Sequence, residues 1–502
     1  MKRLSALWAN DKLFESSRIV GNPDRQVGSI TFDSRRCTEQ SIFVAQNGLH
    51  IDGHLFIDEA IHNGSCVIVH SETLSSYRDD TTYIQNPQPA AVASRLAHEL
   101  YGPYPRHIIA VTGTDGKSTT CEFLYRILKA SNVRCALLST ISMDDGSGHR
   151  DSPFRQSTPE VEYLYPFLHR CYENNVDMVV LETTSHALSH KTSRTASLRF
   201  SGAVITNITS EHLDFHQTVE HYVNDKLNVV RQLKPEAPLV ISGDFSYKGH
   251  PVIRSFPPDR IRTFAMDESD TSSCSYAETI AVDIESRRLR MRTKGMKAIM
   301  NFSFAPPVYT LNLLAAVSMA ESLGQVSVGE MDIEKAVNKP VAGRFHLIDR
   351  LENAPVIIDF AHTENSFESL FSFIRTALPS MRIVALFGCA GERDTSKRKP
   401  MGRIAGRYCH RIYLADEDPR CEDPVQILHQ IQEGIESASR AVVRIIADRP
   451  AAVATAVEEL SPGEVLLLLG KGHEKSIEYC RKSVRYDEFD CVQKALEGKM
   501  AL

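Results

Sequence analysis

Ile108-Ile109-Ala110-Val111-Thr112-Gly113-Thr114-Asp115-Gly116-Lys117-Ser118-Thr119-Thr120 runs from an apolar, β-branched stretch through two glycines into the helical pattern Cys121-Glu122-Phe123-Leu124-Tyr125-Arg126-Ile127-Leu128. The order is strand, tight turn, helix N-terminus. Glycines let the backbone approach a ligand closely, and the first amides of the helix point at an anion. Lys117 adds a point charge for β- and γ-phosphates, and the Ser118 hydroxyl suits Mg²⁺. The general phosphate loop places four residues between its first glycine and the Gly-Lys pair; here Gly113 lies only three positions before Gly116, a shorter form. A glycine turn with no ligand is the alternative, but the lysine and hydroxyl follow in register.

At ~100–200 residues per domain, 502 residues predict two to four domains. A chain that is 42% hydrophobic and 24% charged has enough apolar residues for several cores. With 57 basic and 63 acidic residues the net charge is −6, and no basic tract points to nucleic acid. The start, Met1 to Asp11, has too short an apolar run for a signal peptide, and no stretch reaches the ~18 apolar residues of a membrane span. Eleven cysteines without CxxC spacing fit reduced thiols of a cytoplasmic enzyme better than disulfides or zinc.

Along the chain, residues 1–103 read as a small α/β unit with strand-like runs at Ser29–Phe32, Ser41–Ala45 and Cys66–Val69 and a helical stretch from Phe56 to His62. Asp33-Ser34-Arg35 and Asp52-Gly53-His54 are turn and cap residues, or binding residues. Tyr101-Gly102-Pro103-Tyr104-Pro105 breaks structure twice and marks a first linker. Residues 104–340 alternate apolar runs (Ala136–Leu138, Met178–Glu182, Gly202–Asn207) with helical patterns, which predicts a parallel sheet covered on both faces. Polar stretches at the carboxyl ends of its strands are where ligands sit. The polar run from Ser269 to Ser275 reads as a loop. Residues 341–502 repeat the alternation with strands at Val356–Phe360, Arg382–Phe387, Arg411–Leu414 and Val465–Leu469, a second dinucleotide-type fold.

Singly, the remaining polar residues are ambiguous. Glu182, closing an apolar strand, is a hard ligand for phosphate-bound Mg²⁺ or a helix cap. His212 and Asp214 are ligands or packed and capping residues, and Lys226, on a helical stretch from Val219, is a solvated lysine or a site residue.

Read together, the motifs resemble the Mur ligase family, and within it the branch that adds the third residue of the peptidoglycan peptide. The stretches that carry the resemblance are Gly113–Thr119, Glu182–Leu188, Thr206–His216, Gly343-Arg344, Asp359–Thr363, Phe387–Asp394 and Gly470–Glu474, with Asp33–Arg35 and Asp52–His54 near the N-terminus. It spans nearly the whole chain. It implies three α/β domains: residues 1–103 for a UDP-sugar, 104–340 for ATP, and 341–502 for an amino acid. It further implies an ATP-dependent amide ligase working through an acyl phosphate on small-molecule substrates, with a monomer expected.

By the same resemblance Gly113, Thr114, Asp115, Gly116, Lys117, Ser118 and Thr119 bind ATP, joined by Asn312, Arg344 and Asp359. Two Mg²⁺ ions fall to Ser118, Glu182, His212 and Lys226, the lysine carbamylated so that it offers an oxygen instead of an ammonium. Lys117, Glu182, His212 and Lys226 form the catalytic set. Ser34, Ser157, Thr158 and Thr184 contact the UDP-sugar dipeptide. Arg393, Glu417, Asp418, Pro419, Arg420, Gly470 and Glu474 contact the incoming amino acid.

Several positions depart from the family pattern. Asp115 replaces an asparagine, Thr183-Thr184-Ser185 replaces Val-Ser-Ser, Ala342 replaces a proline, and Thr192 stands where an arginine is expected, with Arg194 nearby. Glu417-Asp418-Pro419-Arg420 replaces the Asp-Asn-Pro-Arg of diaminopimelate-adding enzymes. An added carboxylate favours a basic diamino acid, L-lysine or L-ornithine, over meso-diaminopimelate, unless it pairs with Arg420 or caps the helix near Pro424. The rivals are another ligase of the superfamily, such as folylpolyglutamate synthase, and an inactive nucleotide-binding scaffold. The scaffold predicts loss of Lys117, Glu182, His212 or Lys226, and all four are present.

Overall fold

The computed structural model describes residues 1–8, 11–48, 51–154, 156–209, 211–266, 275–282, 286–292, 297–303, 306–324, 326, 328–337, 339–348, 351–435 and 439–500. Ser210 and the predicted loop over 269–274 lie outside the described residues, as does the side chain of Asp214.

Three sheets organise the chain. The central sheet is built on seven parallel strands in the order Cys135–Leu138, Met178–Glu182, His107–Thr112, Gly202–Ile205, Leu239–Ser242, Ile261–Ala265, Ser275–Val282. Side chains alternate faces along a strand. Ile109 and Val111 accordingly enter one core with Phe123, Leu124 and Ile127 of the helix Lys117–Ala130 and Leu313 to Val317 of the helix Pro307–Ser322. Ile108 and Ala110 enter the opposite core, with Leu164 and Leu168 of the helix Val161–Glu173 and Val223 and Leu227 of the helix Val219–Arg231. Both faces are thus covered, as the continuous apolar runs predict. Where the strands lose that apolar continuity, the sheet turns antiparallel: Ser142–Asp144 and Arg150–Asp151 extend one edge and Ser286–Arg292 and Lys297–Ser303 the other.

The first sheet has the order Arg18–Val20, Thr82–Gln85, Ser65–His70, Ser41–Val44, Ser29–Thr31, parallel except for its first pair. Its contact with the central unit runs through Glu162, whose carboxylate accepts from Phe32 N at 3.0 Å and pairs with Arg36 at 2.6 Å. The last sheet has the order His346–Ile348, Val356–Asp359, Glu464–Leu469, Arg382–Phe387, Cys409–Leu414, Val442–Ile445, again parallel except for its first pair. Between the central and last sheets, Arg126 of the helix Lys117–Ala130 donates to the carbonyls of Ala336 at 3.3 Å, Lys339 at 2.6 Å and Pro340 at 3.5 Å.

The expectation of reduced thiols throughout is corrected by the structure: Cys421 and Cys480 form a disulfide across 59 positions. The antiparallel hairpin Ser476–Tyr479 and Lys482–Arg485 folds back onto the segment 416–421 and brings the two sulfurs together, a long-range pairing that local cysteine spacing does not reveal.

Candidate functional site: a phosphate loop facing a second domain

The turn after strand His107–Thr112 is held by backbone and side-chain bonds that need no ligand. Asn207 O accepts from Thr114 N at 2.9 Å, and Asn207 Oδ1 accepts from Thr114 N at 3.1 Å and Asp115 N at 2.9 Å. Gly113 and Gly116 have φ of 150° and 82°. A Cβ at Gly113 would lie 1.8 Å from Thr206 Oγ1, and one at Gly116 2.2 Å from Asn312 Oδ1. Only glycine fits either place, and Asn312 is brought directly against the loop, as the resemblance implies. Lys117 Nζ donates to the carbonyls of Gly113 at 3.1 Å and Thr114 at 2.7 Å.

Glu182, at the carboxyl end of the neighbouring strand, collects three donors: Ser118 Oγ at 3.1 Å, Thr140 N at 2.9 Å and Thr140 Oγ1 at 3.0 Å. Thr140 Oγ1, its one proton given to Glu182, accepts from Ser157 Oγ at 2.6 Å. Thr158 Oγ1 donates to Glu182 O at 2.8 Å and accepts from Thr184 N at 3.0 Å. Ser157, Thr158, Thr184, Glu182 and Ser118 therefore form one connected patch. Thr140 links it and has no signature in the sequence. The Thr184 side chain also accepts from Ala187 N, capping the short helix Ser185–Leu188, so the capping role considered for Glu182 belongs to Thr184. Ser34 lies on the first sheet's side, donating to Glu59 Oε2 at 2.6 Å.

Lys226 is wholly buried on its helix and donates to Gly113 O at 2.6 Å. Burial, with Lys117 adding like charge, holds its ammonium well below the usual lysine range. Asp115 moves the other way: burial and the Glu211 carboxylate raise it. Glu211 lies 3.6 Å from His212 Nε2 and 3.6 Å from His362 Nε2, the latter on the last domain. Burial alone would lower His362, but its bond to Glu211 outweighs that and raises it.

From the last domain Arg344 reaches across to Ser118 Oγ at 3.4 Å while its guanidinium lies 4.4 Å over the Phe360 ring. Asp359 accepts from Tyr309 OH at 2.8 Å and from Phe345 N at 2.6 Å, and its other oxygen accepts from Ala361 N at 2.7 Å. Arg344 thus meets Ser118, and Asp359 meets Tyr309, across the cleft between the two domains.

Beside that cleft a cavity of about 810 Å³ is lined by Thr140, Ser152, Arg393, Asp418, Arg420 and Glu474, among others. Glu417 Oε2 is buried, has no hydrogen-bond partner among the described residues, and faces Gly470. Asp418 does not pair with Arg420 as considered; it accepts from Lys471 Nζ at 2.9 Å and from Glu478 N at 2.9 Å. Nor does Glu417 or Asp418 cap the helix Pro424–Gly434, whose cap is Asp423. Pro419 packs its carbonyl against Gly391.

These elements coincide with regions of known proteins. Residues 26–101 match the Mur ligase family catalytic domain, 111–320 the Mur ligase middle domain, and 343–472 the Mur ligase glutamate ligase domain. The chain belongs to the Mur ligase family and is an ATP-dependent amide ligase. It is 34% identical over 485 residues to the UDP-N-acetylmuramyl-tripeptide synthetase of Borreliella afzelii, covering 95% of each chain. It is 30% identical to the UDP-N-acetylmuramoyl-L-alanyl-D-glutamate–2,6-diaminopimelate ligase of Syntrophomonas wolfei, covering 96% of each. In fold it resembles the MurF ligase from Thermotoga maritima in complex with ADP, with a TM-score of 0.62 and 20% identity over 94% of this chain and 98% of that one.

Proposed function

We propose that the chain joins a diamino acid to UDP-N-acetylmuramoyl-L-alanyl-D-glutamate in the cytoplasm, using ATP and an acyl-phosphate intermediate. The observation that carries this reading is the connected patch Ser118–Glu182–Thr140–Ser157, which puts the phosphate loop within one hydrogen-bond chain of the proposed dipeptide subsite. The γ-phosphate transfers to the substrate carboxylate, the incoming amine attacks the acyl carbon, and phosphate leaves. The loop amides and Lys117 hold the phosphates, while Asn312, Arg344 and Asp359 position the nucleotide from the far side of the cleft. In this reading residues 1–103 carry the UDP-sugar site, 104–340 the ATP site and 341–502 the amino-acid site.

The residues present fit two Mg²⁺ ions. Ser118 Oγ and Glu182 Oε1, 3.1 Å apart, are a hard-oxygen pair suited to the first. His212 and Lys226 belong to the second, provided the lysine is carbamylated; the buried, deprotonated amine favoured by desolvation is the form that adds CO₂. Bound Mg²⁺ neutralises charge on the transferring phosphoryl group.

Arg194 takes the place left by Thr192. It is buried, donates to Thr158 O at 2.8 Å and pairs with Glu160, and its Nε has no partner among the described residues. A buried guanidinium beside Thr158 is suited to a substrate carboxylate.

For the third residue we favour L-lysine or L-ornithine over meso-diaminopimelate. Asp418 is matched by Lys471, and the segment keeps an acceptor without a partner among the described residues in Glu417 Oε2, buried against Gly470, as the counter-charge for an incoming ammonium. The test is ADP release with UDP-N-acetylmuramoyl-L-alanyl-D-glutamate and L-lysine, L-ornithine or meso-diaminopimelate. Turnover with a basic acid at the highest kcat/KM is expected; preference for meso-diaminopimelate overturns the specificity, and no turnover with any of them overturns the substrate assignment.

A further inference from the structure

Ten of the eleven cysteines fall in the described residues: Cys66 and Cys491 are half-buried and unbonded, and the other eight divide into two chemical groups. Cys37, Cys121, Cys135, Cys171, Cys389 and Cys409 are buried and unbonded. Burial pushes thiols such as Cys37, Cys135 and Cys389 up to about 12, which leaves them without thiolate and inert. Cys421 and Cys480 are the opposite case. Both are exposed, both line the 810 Å³ cavity, and they are bonded to each other. Each is followed or preceded in the chain by an arginine, Arg420 before Cys421 and Arg481 after Cys480.

The bond also ties the cavity wall together. The segment 416–421 and the hairpin 476–485 also meet through three hydrogen bonds: Tyr479 OH to Asp416 Oδ2 at 2.9 Å, Glu478 N to Asp418 Oδ1 at 2.9 Å, and Arg420 N to Glu478 O at 2.8 Å, the last within a parallel bridge between Arg420 and Tyr479. All of them lie within five residues of the two sulfurs. The hairpin has two strands, and such a unit is marginal by itself. Its tether to the loop therefore decides how firmly Asp416, Asp418 and Arg420 are held.

We propose that Cys421 and Cys480 are a reversible thiol–disulfide exchange site, whose oxidised state fixes the wall of the acceptor cavity and whose reduced state loosens it. The oxidant is a low-molecular-weight disulfide. One cysteine thiolate attacks it, forming a mixed disulfide and releasing one thiolate. The second cysteine attacks the protein sulfur of that mixed disulfide and releases the other thiolate. Two cysteine thiols thus lose two electrons and two protons, and one small disulfide becomes two thiols; a small dithiol runs the exchange backwards. The consequence for the acceptor rests on the ligase reading given above.

The experiment uses the full chain, oxidised with glutathione disulfide or reduced with dithiothreitol. Digestion without reductant is expected to yield a linked peptide containing Cys421 and Cys480 from the oxidised chain. In Cys421→Ser, glutathione disulfide is expected to leave one glutathione on Cys480. Reduction is expected to speed amide exchange in 416–421 and 476–481 and to raise the KM for the amino acid about fivefold, the factor set by ordering one more side chain on binding, with the KM for ATP unchanged. The variant carrying both Cys421→Ser and Cys480→Ser is expected to behave as the reduced chain and to ignore both reagents. Failure of the two cysteines to pair under oxidation, or full reduction with no change in exchange at either segment, overturns the proposal. If no amino acid supports ADP release in either state, the ligase reading fails, and the exchange measurement alone decides for or against the site.

Discussion

Lys471, fully buried, and Asp418, which lines the 810 Å³ cavity, form an ion pair at 2.9 Å. Burial alone would lower the lysine, but Glu474, 2.6 Å away, and Asp418 outweigh it and keep the ammonium charged. The carboxylate that sets this chain's Glu-Asp-Pro-Arg segment apart therefore meets the cavity already matched by a cation. Asp418→Asn should lower kcat/KM for L-lysine, L-ornithine and meso-diaminopimelate alike and leave their ratios unchanged. Glu417→Gln should instead cut the preference for basic acids about tenfold, the worth of one charge-assisted hydrogen bond. A reversal of preference in Asp418→Asn would place the discrimination at Asp418 after all.

Lys226→Ala should lower kcat by about 10²-fold or more, the usual cost of losing a preorganised group at the transferring charge. Added bicarbonate should not restore it. Normal turnover in this variant, measured by ADP release, rules the lysine out of the catalytic set.

Gly116→Ala puts a methyl group 2.2 Å from Asn312 Oδ1 at a φ of 82°. The backbone conformation alone costs about 1–3 kcal/mol. The expected result is a raised KM for ATP with an unchanged KM for the amino acid, read from initial rates. An unchanged KM for ATP would mean the loop does not hold the nucleotide.

Arg449 and Glu488 are both fully buried and joined by two bonds, at 2.9 and 2.8 Å; Arg449 also donates to Leu469 O at 2.9 Å and Asp416 O at 3.3 Å. Glu488→Ala leaves a buried guanidinium unpaired and should destabilise the fold by about 3–5 kcal/mol. Replacing both with leucine should cost less than the single change. Urea unfolding curves separate the two cases.

Asp145 accepts from Arg150 at 2.8 Å and Arg170 at 3.3 Å, and these partners, with Ser147, overcome burial and hold its carboxyl well below the usual carboxylate range. A depressed carboxylate contributes stability above its unfolded pKa of about 3.9 and loses it as pH falls through the lower folded value. Stability should therefore drop below about pH 4, and Asp145→Asn should flatten that drop while lowering stability at pH 7. Identical acid unfolding profiles for wild type and variant would remove Asp145 from the account.

The phosphate loop and the parallel strands are legible because their signals are local. A β-branched run followed by glycines at fixed offsets forces one backbone path, and the runs at 107–112, 178–182 and 202–205 are apolar on both faces because both are covered. The edge strands 142–144 and 150–151 are short and polar, and their pairing is decided by the neighbour they lean on. Asp423 followed by Pro424 carries a cap signal in plain view, but three consecutive acids just upstream compete for it. Asn207 and Thr140 contribute backbone bonding and a link between patches, which no spacing encodes. The partners Cys421–Cys480 and Asp418–Lys471 lie 59 and 53 positions apart. Such pairs are fixed by how a hairpin docks, a property of the assembled domain.

Arg126 gives the helix Lys117–Ala130 a second job. Its first turn carries the glycine loop's Lys117 and Ser118, and nine residues on, about 14 Å along the axis, the Arg126 guanidinium grips the carbonyls at 336, 339 and 340, where the chain leaves the central sheet for the last one. The helix then has the glycine loop at one end and the interdomain joint at the other. Arg344 bonds to Ser118 at the loop end of the same helix, so the last domain and the chain leading to it hold this helix at both ends.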